Sequence, residues 1–348
     1  MSEIPAGAMR FNSDSQKLEY WNGSAWFQVH TASVGIATAT DTSGPGVRAI
    51  FAGGYNAEVS PGVTHSTIEF TNIATTGTCH DFGDMSQTRH QGHSFSSSTR
   101  GCIYAGITAS ENDRIDVLTI ASLGSCADSG FDVGPAFTNL GQMNQGFSNE
   151  TRGIASGGGP GPAGRIDVME YVTIAALSNS IDFGDLSVAR GRASSVASPV
   201  RGVIAGGTSG ANADEITTID FVQIATTGRT AEDFGDLSEA RQFAMGTGNA
   251  VRGVFGGGGH PANNTIDYIT IATRGNAINF GDLSVAKTFA GSATSPTRGL
   301  YAGGYTPTAG TTPIDMIDIN TQGDAVDYGD LIRARYTLTG FSNGHGGL

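Results

Sequence analysis

Asp-Phe-Gly occurs three times, at Asp81-Phe82-Gly83, Asp182-Phe183-Gly184 and Asp233-Phe234-Gly235. In phosphoryl-transfer enzymes such a triplet holds nucleotide-bound magnesium, but only beside a phosphate-binding loop and a catalytic loop. The sequence has neither. Its glycine-rich runs, such as residues 256–259, do not lead from a strand into a helix and so cannot aim a helix N-terminus at phosphate. The acid pairs Asp81/Asp84, Asp182/Asp185 and Asp233/Asp236 have the carboxylate oxygens that calcium takes. Their recurrence at one spacing reads first as structure, one acid capping a turn and the other meeting a recurrent Arg. His30, His65, His80, His90, His93, His260 and His345 show no spacing that joins a nucleophile to an acid, and only His90 and His93 lie close together. Cys79, Cys102 and Cys126 form an odd set without CxxC spacing, which gives neither a zinc site nor a disulfide framework and predicts buried or half-buried thiols. No catalytic residue, metal or cofactor is expected.

Three elements recur around these triplets in a fixed order. An Arg leads a short apolar run into Gly-Gly at Arg48-Ala-Ile-Phe-Ala-Gly-Gly54, Arg201-Gly-Val-Ile-Ala-Gly-Gly207, Arg252-Gly-Val-Phe-Gly-Gly-Gly258 and Arg298-Gly-Leu-Tyr-Ala-Gly-Gly304, with weaker copies at Arg100 and Arg152. An alternating run follows, such as Ile219-Asp-Phe-Val-Gln-Ile224 or Ile266-Asp-Tyr-Ile-Thr-Ile271, whose period of two denotes a strand. Then comes aromatic-Gly-Asp, with a base seven residues after the aromatic: Phe82 and Arg89, Phe183 and Arg190, Phe234 and Arg241, Phe280 and Lys287, Tyr328 and Arg335. A segment of small residues fills the gap before the next leading Arg, as in Phe289-Ala-Gly-Ser-Ala-Thr-Ser295. Four short strands in about 50 residues, repeated, describe a propeller blade, and small side chains suit its crowded innermost strand. The composition agrees, with 52 Gly in 348 residues beside 38% hydrophobic residues, and no segment has helical apolar spacing.

The third-strand acid counts the blades: Glu69, Asp116, Glu170, Asp220, Asp267 and Asp315, separated by 47 to 54 residues. One period upstream stands Glu19, between Met9-Arg-Phe-Asn12 and Ala25-Trp-Phe-Gln-Val29. These runs predict a seventh blade whose inner strand, residues 336–343, comes from the other terminus. On this reading residues 1–348 are one all-β domain, a seven-bladed propeller without free sheet edges. The alternative is six blades and a separate N-terminal hairpin module, residues 1–31, with Asn22-Gly23 as its turn.

The order of parts resembles the kelch-type propellers, in which an inner strand is followed by a strand ending in Gly-Gly, an alternating strand, and an outer strand with an aromatic and a trailing Arg. Phe or Tyr stands here where that family has Trp. Some kelch-like propellers are copper oxidases, but no Tyr/Cys/His set here matches that site. Residues 4–29 resemble a short module of tail-fibre and appendage proteins of tailed bacteriophages.

A formal charge of −13 and a pI of about 4.8 leave no basic stripe for nucleic acid. No stretch approaches the roughly 18 apolar residues of a spanning helix, and Met1-Ser2-Glu3 opens with an acid where a signal peptide carries base. Together with the phage-like module, these features imply a non-enzymatic virion protein, a tail, fibre or surface component made in the host cytoplasm. Its implied partners are other virion proteins and a host-surface glycan or protein, with homo-oligomerisation left open. The alternatives are a bacterial kelch-type module that binds carbohydrate or protein and, after that, a kelch-type enzyme. Binding is expected in loops between second and third strands, residues 56–65, 208–216 and 306–313, with Tyr55, Asn56, His65, Thr208, Asn212, His260, Tyr305 and Thr306 as candidates.

Overall fold

A computed structural model of the chain describes residues 5, 7–12, 17–28, 47–57, 62–107, 113–134, 145–159, 164–210 and 214–348. The chain divides into two compact units, residues 1–36 and 37–348. Among the described residues there is no helix.

The first unit holds one three-stranded antiparallel sheet, Met9–Asn12, Lys17–Trp21 and Trp26–Gln28. Its second turn centres on Gly23 and Ser24 rather than on Asn22-Gly23. Asn22 and Ala25 close it with a backbone bond, Gly23 takes φ +105°, and the Asn22 amide oxygen accepts from the Ser24 and Ala25 N–H groups. Trp21 and Trp26 meet across it at 5.6 Å, and the Arg10 guanidinium lies 4.2 Å over Trp26.

The second unit is a six-bladed propeller. Four blades take their strands in chain order from inner to outer: the second (His93–Ser96, Arg100–Tyr104, Arg114–Thr119, Ala127–Asp132), the fourth (Ser194–Ala197, Arg201–Ala205, Thr218–Gln223, Glu232–Asp236), the fifth (Met245–Gly248, Arg252–Gly256, Thr265–Thr270, Ile278–Asp282) and the sixth (Gly291–Thr294, Arg298–Ala302, Pro313–Asp318, Val326–Asp330). The third does the same with Phe147–Ser148, Arg152–Gly158, Ile166–Thr173 and Ile181–Asp185, and Arg229–Thr230 adds in parallel along its outer edge. The first blade is completed from the far end of the chain, where Thr339–Ser342 pairs antiparallel with Arg48–Ala52, inside Thr67–Asn72 and His80–Asp84. The six inner strands touch in a closed circuit.

The expected seventh blade does not form among the described residues. Residues 339–342 supply an inner strand, as their position after Arg335 requires, but to Arg48–Ala52 and not to Met9–Asn12. Glu19 lies in the central strand of the separate sheet, opposite Arg10 and Gln28. The spacing that placed it one period before Glu69 measures distance along the chain. It cannot tell which edge an incoming strand will pair.

The aromatic-Gly-Asp motif is a β-bulge. Ile68 pairs with Gly83 while Glu69 pairs with Asp81, leaving Phe82 as the extra residue, and the same shift falls at Glu170, Asp220, Asp267 and Asp315. The bulged aromatics Phe82, Phe183, Phe234, Phe280 and Tyr328 are buried. A bulge re-aims the neighbouring side chains, and here it turns the acid of the third strand toward the preceding blade. The adjacent glycine is obligatory. Gly235 has φ +148°, and a Cβ on it would stand 2.5 Å from the Gly275 carbonyl of the next blade.

Three sets of contacts bridge neighbouring blades, one of them at all six seams. The trailing base enters the following blade and meets its third-strand acid: Arg89 with Asp116, Arg190 with Asp220 at 2.9 Å, Arg241 with Asp267 at 2.7 Å, Lys287 with Asp315 at 3.3 Å and Arg335 with Glu69 at 3.1 Å, all buried. The Ser after Gly-Asp-Leu or Gly-Asp-Met binds the same acid, as Ser238 does Asp267. Burial pulls Lys287 below the usual ammonium range and pushes the Glu69 carboxyl up against the attraction of Arg335. The leading Arg, expected to pair with an acid, instead donates to main-chain carbonyls of the next blade. Arg48 reaches Ile120, Arg100 Ile174, Arg152 Ile224, Arg201 Ile271, Arg252 Ile319 and Arg298 Ile73, which closes the circle. The third set lies on the inner strands, where Ser96 Oγ donates to Ser342 O, Ser148 Oγ to Ser96 O, Ser342 Oγ to Thr294 O and Thr294 Oγ1 to Gly248 O.

Glu170 breaks the pattern. The sequence from Val133 to Phe147 contains no Lys or Arg, so no trailing base can arrive. Its carboxylate accepts instead from Tyr104 Oη at 2.7 Å, Ser180 Oγ at 2.5 Å and the Gly134 N–H at 3.0 Å.

Candidate functional site at the channel mouth

The connections from each outer strand to the next inner strand surround one mouth of the central channel, and they share an unusual backbone. The residue two positions after the trailing base is left-handed in five of them: Gln91, Arg192, Phe243, Phe289 and Thr337, with φ between 54° and 65°. Such a conformation costs a non-glycine residue about 1 kcal/mol or more and persists only where its surroundings fix it. Backbone bonds between neighbouring blades do so here, from Gln91 N to Thr337 O, from Thr337 N to Phe289 O and from Phe243 N to Arg192 O.

This backbone stands a chain of rings around the mouth. The Arg192 guanidinium lies 4.8 Å over Phe243, and Phe243 stacks on Phe289 at 3.7 Å. Phe289 meets Tyr336 at 6.1 Å, and Tyr336 meets Tyr305 at 5.0 Å and Tyr55 at 5.6 Å. Tyr55 in turn packs on His90 at 5.5 Å. These rings are half-buried, their remaining area open to solvent. Beneath them the Gln145 side chain crosses the channel. Its Oε1 accepts from Gly246 N at 2.9 Å, and its Nε2 donates to Ser292 Oγ at 2.7 Å. Below Gln145 a channel cavity of about 60 Å3, room for a few waters, is flanked by His345, whose Nε2 bonds Ser96 O at 2.8 Å. Burial holds that imidazole below its usual pKa.

Beside the mouth, between the fifth and sixth blades, lies a larger and mainly apolar cavity of about 370 Å3. Phe243, Phe289 and Tyr305 form its aromatic wall, and His260, Thr306 and Thr288 add polar groups.

Of the candidates from the sequence, Tyr55, His260, Tyr305 and Thr306 are brought to this mouth. Asn56 pairs with Val63 in a short hairpin. His65 gives its N–H to Gly54 O, and burial, with the Arg335 and Arg333 charges, holds its ring below the usual pKa. Thr208 is fully buried, bridging Gly191 and Glu215, and is not an exposed loop residue. Asn212 lies outside the described residues. The sequence reading missed Arg192, Phe243, Phe289, Tyr336, Thr288 and Gln145. Part of the signal was present: the two positions after the trailing base vary, His-Gln, Gly-Arg, Gln-Phe, Thr-Phe and Tyr-Thr, while the base itself repeats.

Among the described residues, no three His, Cys, Asp or Glu side chains converge as metal ligands. The last acids of the aromatic-Gly-Asp bulges serve the fold: Asp84 accepts from Ser66 Oγ, Asp236 from Thr217 Oγ1 and Asp330 from Thr312 Oγ1. Cys79 and Cys102 are buried and Cys126 is half-buried, and burial raises the Cys102 and Cys126 thiols to about 12. They carry no thiolate at neutral pH. The fold and this mouth define the class, a six-bladed β-propeller with an aromatic-rimmed channel. No family model matches the sequence, and no curated protein matches it.

Proposed function

We propose that this chain is a non-enzymatic recognition protein of the kelch-like kind, carried on the particle of a tailed bacteriophage, whose propeller mouth contacts the host surface. The observation that carries the recognition reading is the continuous ring system from Arg192 through Phe243, Phe289 and Tyr336 to Tyr55, set on a backbone locked by interblade bonds. Rigid, half-exposed aromatics lose little conformational entropy on binding, which suits a contact surface better than a catalytic one. The assignment to a phage particle rests on the resemblance of residues 4–29 to appendage modules, which would dock the chain to other virion proteins. Mass spectrometry of purified particles from the genome encoding this chain tests it, together with adsorption assays. The chain is expected in the particles, and the isolated protein at micromolar concentration is expected to compete with adsorption. Particles without the chain would refute the assignment.

A further inference from the structure

We propose that His345 pins a pH-sensitive latch: its imidazole holds residues 344–348 across the end of the central channel remote from the aromatic mouth, and protonating it releases them. The inference concerns the other end of the channel and does not rest on the recognition reading.

The inner strands start at the mouth and end at the turns into the second strands, where Ser96 and Ser148 stand. Residues 339–342 form the inner strand of the first blade, and the chain after them crosses the channel end to the blades opposite. His345 Nε2 lies 2.8 Å from Ser96 O in the second blade and 3.2 Å from Ser148 Oγ in the third. Gly346 sits against the fourth and fifth blades, where a Cβ would stand 2.5 Å from both Ala197 O and Asn249 O, and a Cβ on Gly347 would collide with Ser148 O. Both glycines are buried, and with room for main chain alone neither adds an apolar anchor. Leu348 N donates to His345 O and Gly344 N to Ser342 Oγ, bonds that stay within the first blade and its extension. Among the described residues, every hydrogen bond tying 344–348 to another blade ends on the His345 imidazole.

Both ring nitrogens are committed. Nε2 faces a carbonyl and so carries the hydrogen, while Nδ1 accepts from the Gly347 N–H at 3.1 Å and so presents its lone pair. An imidazolium carries a hydrogen on each nitrogen, and its Nδ1–H would point at that second donor. Nothing around the ring compensates. The titratable or charged groups on the inner strands and turns packed against the segment are His93, Glu150 and the six leading arginines. His93 lies further up its strand beside Tyr104, and the arginines are turned to carbonyls of the next blade. Glu150 is exposed and already accepts from the Ser98 N–H at 3.0 Å and hydroxyl at 2.6 Å. Burial therefore holds the imidazole below its usual pKa against the pull of Ser96 O and Glu150. Released into water the ring titrates near its ordinary value of about 6.5. Docking is thus complete above that pH and is lost as the pH falls toward the depressed value.

Amide hydrogen exchange followed by NMR on the full chain, with rates corrected for the intrinsic effect of pH, tests this. Between about pH 7.5 and 5.0 the amides of residues 347 and 348 are expected to lose about tenfold or more in protection, while the strand Arg48–Ala52 keeps its own. His345→Gln retains a donor for Ser96 O but cannot be protonated, so protection at 347 and 348 is expected to stay the same at both pH values. Gly347→Ala cannot dock and is expected to leave both amides unprotected throughout. Protection unchanged by pH in the parent, an equal fall in His345→Gln, or loss in step with Arg48–Ala52 would overturn the proposal. Should glutamine fail to hold the segment at either pH, the imidazole 15N titration of the parent decides. A midpoint shared with the loss of protection supports the latch, and separate midpoints refute it.

Discussion

The seam between the fourth and fifth blades offers the sharpest test of what closes this propeller. Arg241 is fully buried and donates to Asp267 Oδ2 at 2.7 Å, Thr265 O at 2.9 Å and Phe255 O at 3.4 Å. Asp267 also accepts from the Ser238 N–H and hydroxyl. Replacing Asp267 by Ala leaves the buried guanidinium without its counter-charge and removes the acceptor of the Ser238 N–H and hydroxyl. Breaking one side of a buried pair costs about 3–5 kcal/mol. With an unfolding entropy of about 2 cal/mol/K per residue, a unit of roughly 300 residues loses about 1.5 °C for each kcal/mol, so the melting temperature should fall by about 5–8 °C. Removing both charges with Arg241→Met and Asp267→Leu restores an apolar seam, and buried pairs replaced in this way are often neutral or stabilising. The double variant should recover most of the loss. Glu170→Gln is the internal control, because an amide oxygen in the place of Oε2 keeps the Tyr104, Ser180 and Gly134 donors and no cation is orphaned. It should cost about 1 kcal/mol or less. Urea titrations of the four proteins measure these differences directly. If Asp267→Ala lies within 1 kcal/mol of the parent, or the double variant is as unstable as the single one, the ion pairs do not hold the blades together.

Deleting residues 1–36 should leave the propeller's melting temperature within about 2 °C, since its six blades close without them; a loss above 10 °C in differential scanning calorimetry would contradict the closure described. Deleting residues 339–348 should abolish cooperative unfolding, because Arg48–Ala52 loses its inner partner and the circuit of inner strands opens; a native-like transition in near-ultraviolet circular dichroism would refute this. Acidification from about pH 7.5 to 5.5 should destabilise the protein. Burial holds His65, His90 and His345 below the usual imidazole value of about 6.5, so the unfolded chain binds more protons in that window; stability is full above about pH 6.5 and declines as the pH falls toward the depressed values. His345→Gln should shallow the slope of melting temperature against pH, and an unchanged slope would show that this imidazole does not report on folding.

Much of this architecture is legible in the sequence. The leading Arg, the Gly-Gly turn, the alternating third strand and the aromatic-Gly-Asp bulge each satisfy a local demand: a strand period, a positive φ, or a bulge residue with no room for a Cβ. Local demands recur wherever the unit recurs, so six copies could be read off the spacing of Glu69, Asp116, Glu170, Asp220, Asp267 and Asp315. What the chain does not spell out is which partner each group finds across space. Whether residues 339–342 close on Met9–Asn12 or on Arg48–Ala52 is a choice between two edges of equal local chemistry, and ring geometry decides it. The same holds for the arginines. The trailing base and the leading Arg are both cations at strand ends, yet the bulge aims the third-strand acid at the first and leaves main-chain carbonyls for the second. The mouth is the extreme case, because Arg192, Phe243, Phe289, Tyr336 and Tyr55 come from five connections spread over most of the propeller. Only closure of the blades brings their rings into one surface.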